Sequence, residues 1–175
     1  NATAAIAMLR KKGVSFDVLQ KGIASFKGIK RRYTKHIYDN GKIYIDDYAH
    51  HPTELNAVIN SVKTFYPNKK LLVVFQPHLF SRTRDFVEGF ADSLSKADEL
   101  ILLDIYPARE LQENFEGVTS DWLLEKVELK NKEISRLSEA FDKIKSKQFD
   151  VLLTVGAGNI DTLYDPILPW IEGLE

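Results

Sequence analysis

Leu71-Leu72-Val73-Val74-Phe75, followed at once by Gln76-Pro77-His78-Leu79-Phe80-Ser81-Arg82-Thr83-Arg84, is the stretch that decides the fold class. An apolar run with no polar interruption is the pattern of a strand covered on both faces, as in parallel sheets. Helical spacing then resumes over Thr83–Ser95 through Phe86, Val87, Phe90 and Leu94, so the polar residues lie at a strand-to-helix turn. The strand signal recurs at Glu99–Ile105 and Val151–Val155, with Ile134 in a shorter one between them. Helical patterns intervene over Pro52–Phe65, Thr119–Val127 (Thr119 or Ser120 as N-cap), Ser138–Lys145 and a proline-broken Ile160–Ile171. Such alternation predicts an α/β fold: a Rossmann-like three-layer sandwich with a mainly parallel sheet and helices on both faces. Toward the N-terminus, Tyr33–Tyr38 and Lys42–Asp46 alternate about the turn residues Asp39-Asn40-Gly41. They predict a β-hairpin, and hence an antiparallel edge strand.

The composition excludes several function classes. Lys+Arg number 24 and Asp+Glu 25, a net charge of −1, which argues against a strongly basic nucleic-acid binder. At 44% hydrophobic residues the chain is too apolar for a disordered tail. No apolar run approaches the roughly 20 residues of a membrane helix. With no cysteine, disulfides, thiolate catalysis and cysteine-bound zinc are excluded. The 175 residues suit one ordinary domain. The first residue is Asn1, inside a helical pattern that runs to Lys12 and stops at Gly13; a second helix spans about Ser15–Ala24. Phe26–Arg32 has a linker's composition, so a boundary is expected near Gly28, in what reads as a piece of a longer protein.

Ligands of such sheets gather beyond the carboxyl ends of the strands, and four polar clusters fall there. Asp46-Asp47-Tyr48-Ala49-His50-His51-Pro52-Thr53-Glu54 places two acids, a phenol and two imidazoles just before a helix; the histidines could bind a phosphate or carboxylate or ligate a metal, and the competing reading is a solvated loop with a helix cap. Gln76–Arg84 adds an imidazole, two guanidinium groups and two hydroxyls at a helix start, which suggests an anion site. The competing reading is a plain N-cap at Ser81 or Thr83, with the arginines paired to Asp85 or Glu88. Three of the four histidines, His50, His51 and His78, sit in these two turns, which favours one shared site. Tyr106–Glu110 is a further cluster. Gly156-Ala157-Gly158-Asn159-Ile160-Asp161 lacks the third glycine of a dinucleotide fingerprint and reads as a tight turn approaching a ligand or a neighbouring loop. His36 is read as a strand residue, and Trp122 and Trp170 as packing residues.

The motifs Asp46–Glu54 and Phe75-Gln76-Pro77-His78-x-x-Ser81-Arg82-Thr83 together resemble the C-terminal domain of the Mur ligases, of the type that joins L-alanine to UDP-N-acetylmuramate. Phe26-x-Gly28-Ile29-x-Arg31-Arg32, Tyr106-Pro107-Ala108-Arg109-Glu110 and Gly156–Ile160 follow in the family's order. The resemblance implies residues 1–27 as the last helices of a central ATPase domain and 28–175 as the amino-acid-binding lid domain. It implies an ATP- and Mg2+-dependent amide ligase of peptidoglycan biosynthesis in the cytoplasm, acting through an acyl phosphate. UDP-N-acetylmuramate, L-alanine, ATP and the chain's own N-terminal and central domains are the implied partners, with neither nucleic acid nor membrane. Residue by residue, it implies Arg32, Asp47 and Tyr48 at the nucleotide, and Tyr48, His50, His78, Ser81 and Arg82 at the substrates. His50, His78 and Arg82 are the catalytic candidates, and no residue is a metal ligand. The family's P-loop belongs to the central domain, and no such Gly-rich Lys-Thr/Ser sequence occurs in this chain, so alone it is expected to be inactive. Many members carry Arg where Leu79 stands, which passes any substrate contact there to Arg82 or Arg84, or weakens it.

Two rivals stand beside this reading. Murein tripeptide ligases share Asp-Asp-x-Ala-His-His-Pro but usually have Phe in place of Tyr48. A metal-dependent hydrolase would use Asp46, Asp47, His50, His51 and His78, although adjacent histidines converge poorly on one ion from a single loop. A domain that binds without a share in catalysis is a third possibility.

Overall fold

The computed structural model describes residues 2–174. Helices α1 (Ala2–Lys11) and α2 (Phe16–Ser25) come first; the expected helix start at Asn1 lies outside the described residues. The sheet holds six strands in the order β1-β2-β6-β3-β4-β5: β1 (Thr34–Ile37), β2 (Ile43–Asp47), β3 (Leu71–Gln76), β4 (Glu99–Leu103), β5 (Lys132–Ser135) and β6 (Val151–Gly156). Only β1–β2 is antiparallel; the other pairs are parallel. The hairpin turns at Gly41, whose φ of +79° needs no Cβ to be accommodated.

Side chains of the central strands alternate between two cores. On one face Ile45, Val73, Phe75, Leu100, Leu102 and Leu153 meet α3 (Pro52–Phe65), α5 (Val87–Leu94) and α6 (Ser120–Lys126). On the other, Tyr44, Leu72, Val74, Ile101 and Leu152 meet α7 (Leu137–Lys145) and α8 (Tyr164–Glu172). β3, β4 and β6 are buried along their whole length, so burial, not propensity, gives them their uninterrupted apolar runs. Trp170 packs on Phe141 and Phe149, as its reading as a packing residue required.

Two helices differ from their sequence patterns. The stretch expected as Thr83–Ser95 is broken at Phe86 into α4 (Phe80–Asp85) and α5. Its start moves back to Phe80, and neither Ser81 nor Thr83 is the N-cap: that position is Leu79, at φ +72° with no side-chain cap. The break lets Val87, Phe90, Ala91 and Leu94 face the sheet while Phe86 packs against the ring of His51. In the last segment a 3-10 turn over Asn159–Leu163 precedes α8, which continues through Pro169.

Candidate functional site

β2 and β3 flank β6, so the loops after β2 and β3 meet over its glycine-bearing end. Gly156 lies at φ +146°, and a Cβ on Gly158 would sit 2.8 Å from Cβ and Cγ of Tyr106. The glycines therefore serve close approach of neighbouring loops. Into the space they leave, Gln76 donates to Asn159 Oδ1 at 2.8 Å and accepts from the N–H of Ile160 at 2.9 Å.

His50, His78 and Arg82 come together across this junction. The imidazoles lie 6.2 Å apart between centroids, Arg82 Nη1 is 3.4 Å from His78 Nδ1, and Tyr48 lies edge-on to His50 at 5.2 Å. For neutral rings the contacts favour one tautomer of each. His50 Nδ1 faces the carbonyl of Tyr48 at 2.9 Å, so it donates and leaves Nε2 as an acceptor. His78 Nδ1 faces a guanidinium, which only donates, so it accepts and the proton sits on Nε2. Burial, then the charge of Arg82, hold His78 below the ordinary imidazole range; His50 acts the same way once it is protonated, and Glu110 opposes. The cluster thus presents one imidazole lone pair, one imidazole N–H and a guanidinium on an open, half-exposed surface. His78 is braced from behind by Tyr106, stacked at 5.6 Å and 19°.

Ser81 is close by but already engaged. Its N–H and hydroxyl donate to Glu110 at 3.0 and 2.5 Å. Burial favours the neutral acid of Glu110, but these donors outweigh it and hold the carboxyl below its usual range. The helix-start donors expected to bind an anion are therefore occupied by the protein's own carboxylate. Arg84 turns away, paired with Asp85 at 2.8 Å and set over Phe115 at 5.5 Å. Of the two arginines left to replace the one missing at Leu79, only Arg82 is in the cluster.

The residues read as nucleotide-facing lie on the β1 side. Arg32 is exposed, its guanidinium 5.7 Å from the Tyr48 ring. Asp47 accepts from the N–H groups of Tyr33 at 2.7 Å and Ala49 at 2.8 Å, so it holds the loop in shape. Sequence reasoning gave Arg31 no role of its own. Its guanidinium donates to the carbonyl of Gly156 at 2.5 Å, lies 3.5 Å from Asp46 and 3.6 Å from Asp161, and covers Tyr48 at 5.2 Å. Asp46 is 1% exposed and accepts from Thr154 at 2.8 Å. Burial raises its pKa, only partly offset by that hydroxyl and by Arg31. A cavity of about 180 Å3 adjoins this pair, lined by Arg31, Thr34, Asp46, Asp161 and Tyr164 among others, but by neither site histidine nor Arg82. His36 is a strand residue with its ring nitrogen 2.7 Å from the Tyr164 hydroxyl.

The five residues of the hydrolase reading do not converge. Asp46 is buried, Asp47 is a loop brace, and His51 caps α3 by accepting from the N–H of Thr53, while Glu54 accepts from the N–H groups of His50 and His51. Among the described residues no group of three or more acids or histidines is spaced to hold a metal ion. No helix among them is long and apolar enough to cross a membrane.

Comparison with known proteins identifies relatives of this chain. Residues 31–158 match the Mur ligase family's glutamate ligase domain. A UDP-N-acetylmuramate–L-alanine ligase of Flavobacterium psychrophilum is 54% identical over 160 residues, covering 91% of this chain and 35% of that protein. Its counterpart in Cytophaga hutchinsonii is 49% identical over 168 residues, again covering 35% of the relative. The crystal structure of the UDP-N-acetylmuramate–alanine ligase of Thermotoga maritima is 26% identical with a TM-score of 0.73, covering 98% of this chain and 36% of that one. A murein peptide ligase of Psychrobacter arcticus shares the fold, with a TM-score of 0.66 at 21% identity. The chain thus spans about a third of the length of the curated relatives it matches.

Proposed function

The chain belongs to the Mur ligase family, and from that premise we propose that it is the C-terminal lid domain of a cytoplasmic UDP-N-acetylmuramate–L-alanine ligase. The observation that carries the reading is the convergence of His50, His78 and Arg82 from two strand-end loops, in a chain 54% identical to a protein of that name. In the whole protein, ATP phosphorylates the carboxylate of UDP-N-acetylmuramate. The amine of L-alanine attacks the acyl carbon of the resulting acyl phosphate, and inorganic phosphate leaves.

This domain's share is to position the amine and to complement charge. His50 Nε2, the acceptor left by the Nδ1–H···O bond to Tyr48, takes the proton the attacking amine releases. Arg82 and the His78 Nε2–H face the oxygen that gains negative charge. Neutral His78 suits this donor role, because a second cation beside Arg82 is disfavoured. Tyr48, with the guanidinium groups of Arg31 and Arg32 5.2 and 5.7 Å from its ring, faces the nucleotide's base or ribose, and Asp47 shapes the loop beneath it. Mg2+ and the phosphate grip are assigned to the central domain, where the family's P-loop lies. Residues 1–27 would complete that domain. In support, α1 buries no residue, and Phe16, Phe26 and Ile29 are more than 60% exposed. An apolar groove of about 630 Å3 also lies between α1 and α2.

The test uses the full-length protein with ATP, Mg2+ and UDP-N-acetylmuramate, offering L-alanine or a murein tripeptide. The proposal expects L-alanine to be ligated, with His50→Ala and Arg82→Ala each losing on the order of 100-fold in kcat/KM while remaining folded. Preference for the tripeptide, or normal rates in both variants, overturns it.

A further inference from the structure

α4 carries Arg82 and opens directly after His78, yet it is six residues long and has no cap of its own. Isolated helices of that length do not hold themselves. Leu79, at the N-cap position, offers no side-chain acceptor and sits at φ +72°, a conformation that costs a residue with a side chain free energy. Something else must hold the helix start. Leu79 is itself held from the loop after β4: its N–H donates to the carbonyl of Tyr106 at 2.9 Å, and the N–H of Tyr106 donates to the carbonyl of Pro77 at 2.8 Å. Four residues after Tyr106, Glu110 accepts from the backbone and hydroxyl of Ser81. Among the described residues it has no cationic partner within salt-bridge distance, so its carboxylate is committed to α4.

We infer that Glu110 is a positioning residue: the cap of α4 supplied from a different loop, which sets where Arg82 and His78 stand relative to His50. The inference rests on the ligase reading for its kinetic consequence. The positioning itself is a property of this chain. A carboxylate that accepts from both the backbone N–H and the hydroxyl of Ser81, one on each oxygen, fixes the start of a short helix in place. A shift of about 1 Å in a group that must meet developing charge is enough to cost on the order of 100-fold in rate.

Full-length protein carrying Glu110→Ala, Glu110→Gln or no change decides the matter by two measurements. The first is steady-state ligation of L-alanine. Glu110→Ala is expected to lose on the order of 100-fold, mainly in kcat. Glu110→Gln keeps an acceptor oxygen of the same reach and is expected to recover to within about tenfold of the unchanged protein. A role limited to general stability would lower the melting temperature and leave kcat per folded molecule alone. The second is hydrogen exchange of the segment 79–85, which needs no activity. Glu110→Ala is expected to speed it at least tenfold, with Pro52–Phe65 unchanged. If the unchanged protein fails to ligate L-alanine, the ligase reading falls and exchange alone decides. Unaltered exchange over 79–85 in Glu110→Ala overturns the inference, as does full kcat in that variant when the unchanged protein is active.

Discussion

Replacing Arg31 by Met tests whether the entry segment is locked to the sheet by a buried ion pair. The substitution keeps the aliphatic stem and removes the charge facing Asp46 at 3.5 Å, the donor to Gly156 and the cation over Tyr48. Removing one partner of a buried pair costs about 3–5 kcal/mol. Here Asp46 is 1% exposed but Arg31 is 18% exposed, and Thr154 still donates to the carboxylate, so the lower end applies, about 3 kcal/mol. Protonation of Asp46 sets a ceiling, since neutralising a carboxyl at pH 7 costs about 4 kcal/mol. For a chain of this size the expected loss lowers the melting temperature by about 6–12 °C. The pH dependence follows from the direction of the shift. Burial already holds Asp46 above the ordinary value, and losing Arg31 raises it further. A carboxyl whose folded pKa exceeds its unfolded one makes the fold less stable as pH rises between the two. The deficit of Arg31→Met is thus largest at pH 7 and shrinks toward pH 4. Adding Asp46→Asn to Arg31→Met removes the uncompensated charge and restores about 2 kcal/mol. Urea unfolding of the single and double variants at pH 4.5 and 7 measures all of this. A deficit under about 1 kcal/mol at pH 7, or an equal one at both pH values, would refute the lock.

The imidazole of His78 is held below its ordinary value by burial, Arg82 and His50, so on acidification the unfolded chain takes up that proton first. Stability is therefore lost as pH falls through about 6.5, with a slope of at most about 1.4 kcal/mol per pH unit from this group. His78→Gln should flatten the urea-midpoint profile between pH 5 and 7, and parallel profiles would contradict the assignment. Gly158→Ala places a methyl against Tyr106 and Gln76 and should cost about 1–3 kcal/mol. Gly22→Ala, at an open position in α2, should gain up to about 1 kcal/mol. Melting temperatures of the two variants that move the same way would mean the close approach at Gly158 is not what requires glycine there.

What was legible in the sequence is what local pattern can carry. The apolar run Leu71–Phe75 implied burial on both faces, and that strand is buried throughout. Pro52–Phe65 was readable to the residue because its start is written locally: Pro at the first turn, and Glu54 reaching back to the N–H groups of His50 and His51. α4 was misread because its cap is not local. The carboxylate that holds it is 29 residues downstream, and no rule of spacing connects Ser81 to Glu110. Arg31 was passed over for the same reason. In Arg31-Arg32 one guanidinium is folded against Asp46 and Gly156 and the other stands exposed, a difference made by partners 15 and 125 residues away.

The occupied start of α4 also changes how anion recognition at this site must work. Had the helix N-terminus been open, backbone donors would have bound a phosphate or carboxylate, and the side chains around it would have been secondary. Glu110 already fills that place and brings a negative charge with it. Under the proposed function, an anionic substrate would be drawn to this cluster by Arg82 and the His78 N–H, against that nearby carboxylate. Two consequences follow. Arg82 is not backed up by the neighbouring Arg84, which is held by Asp85 and Phe115, so of the two arginines in this turn only Arg82 is placed to make up for Leu79. And a single guanidinium beside a neutral imidazole is a modest anion site by itself, which suits a lid that completes a pocket whose remaining cations lie in another domain better than it suits a domain that captures its ligand unaided.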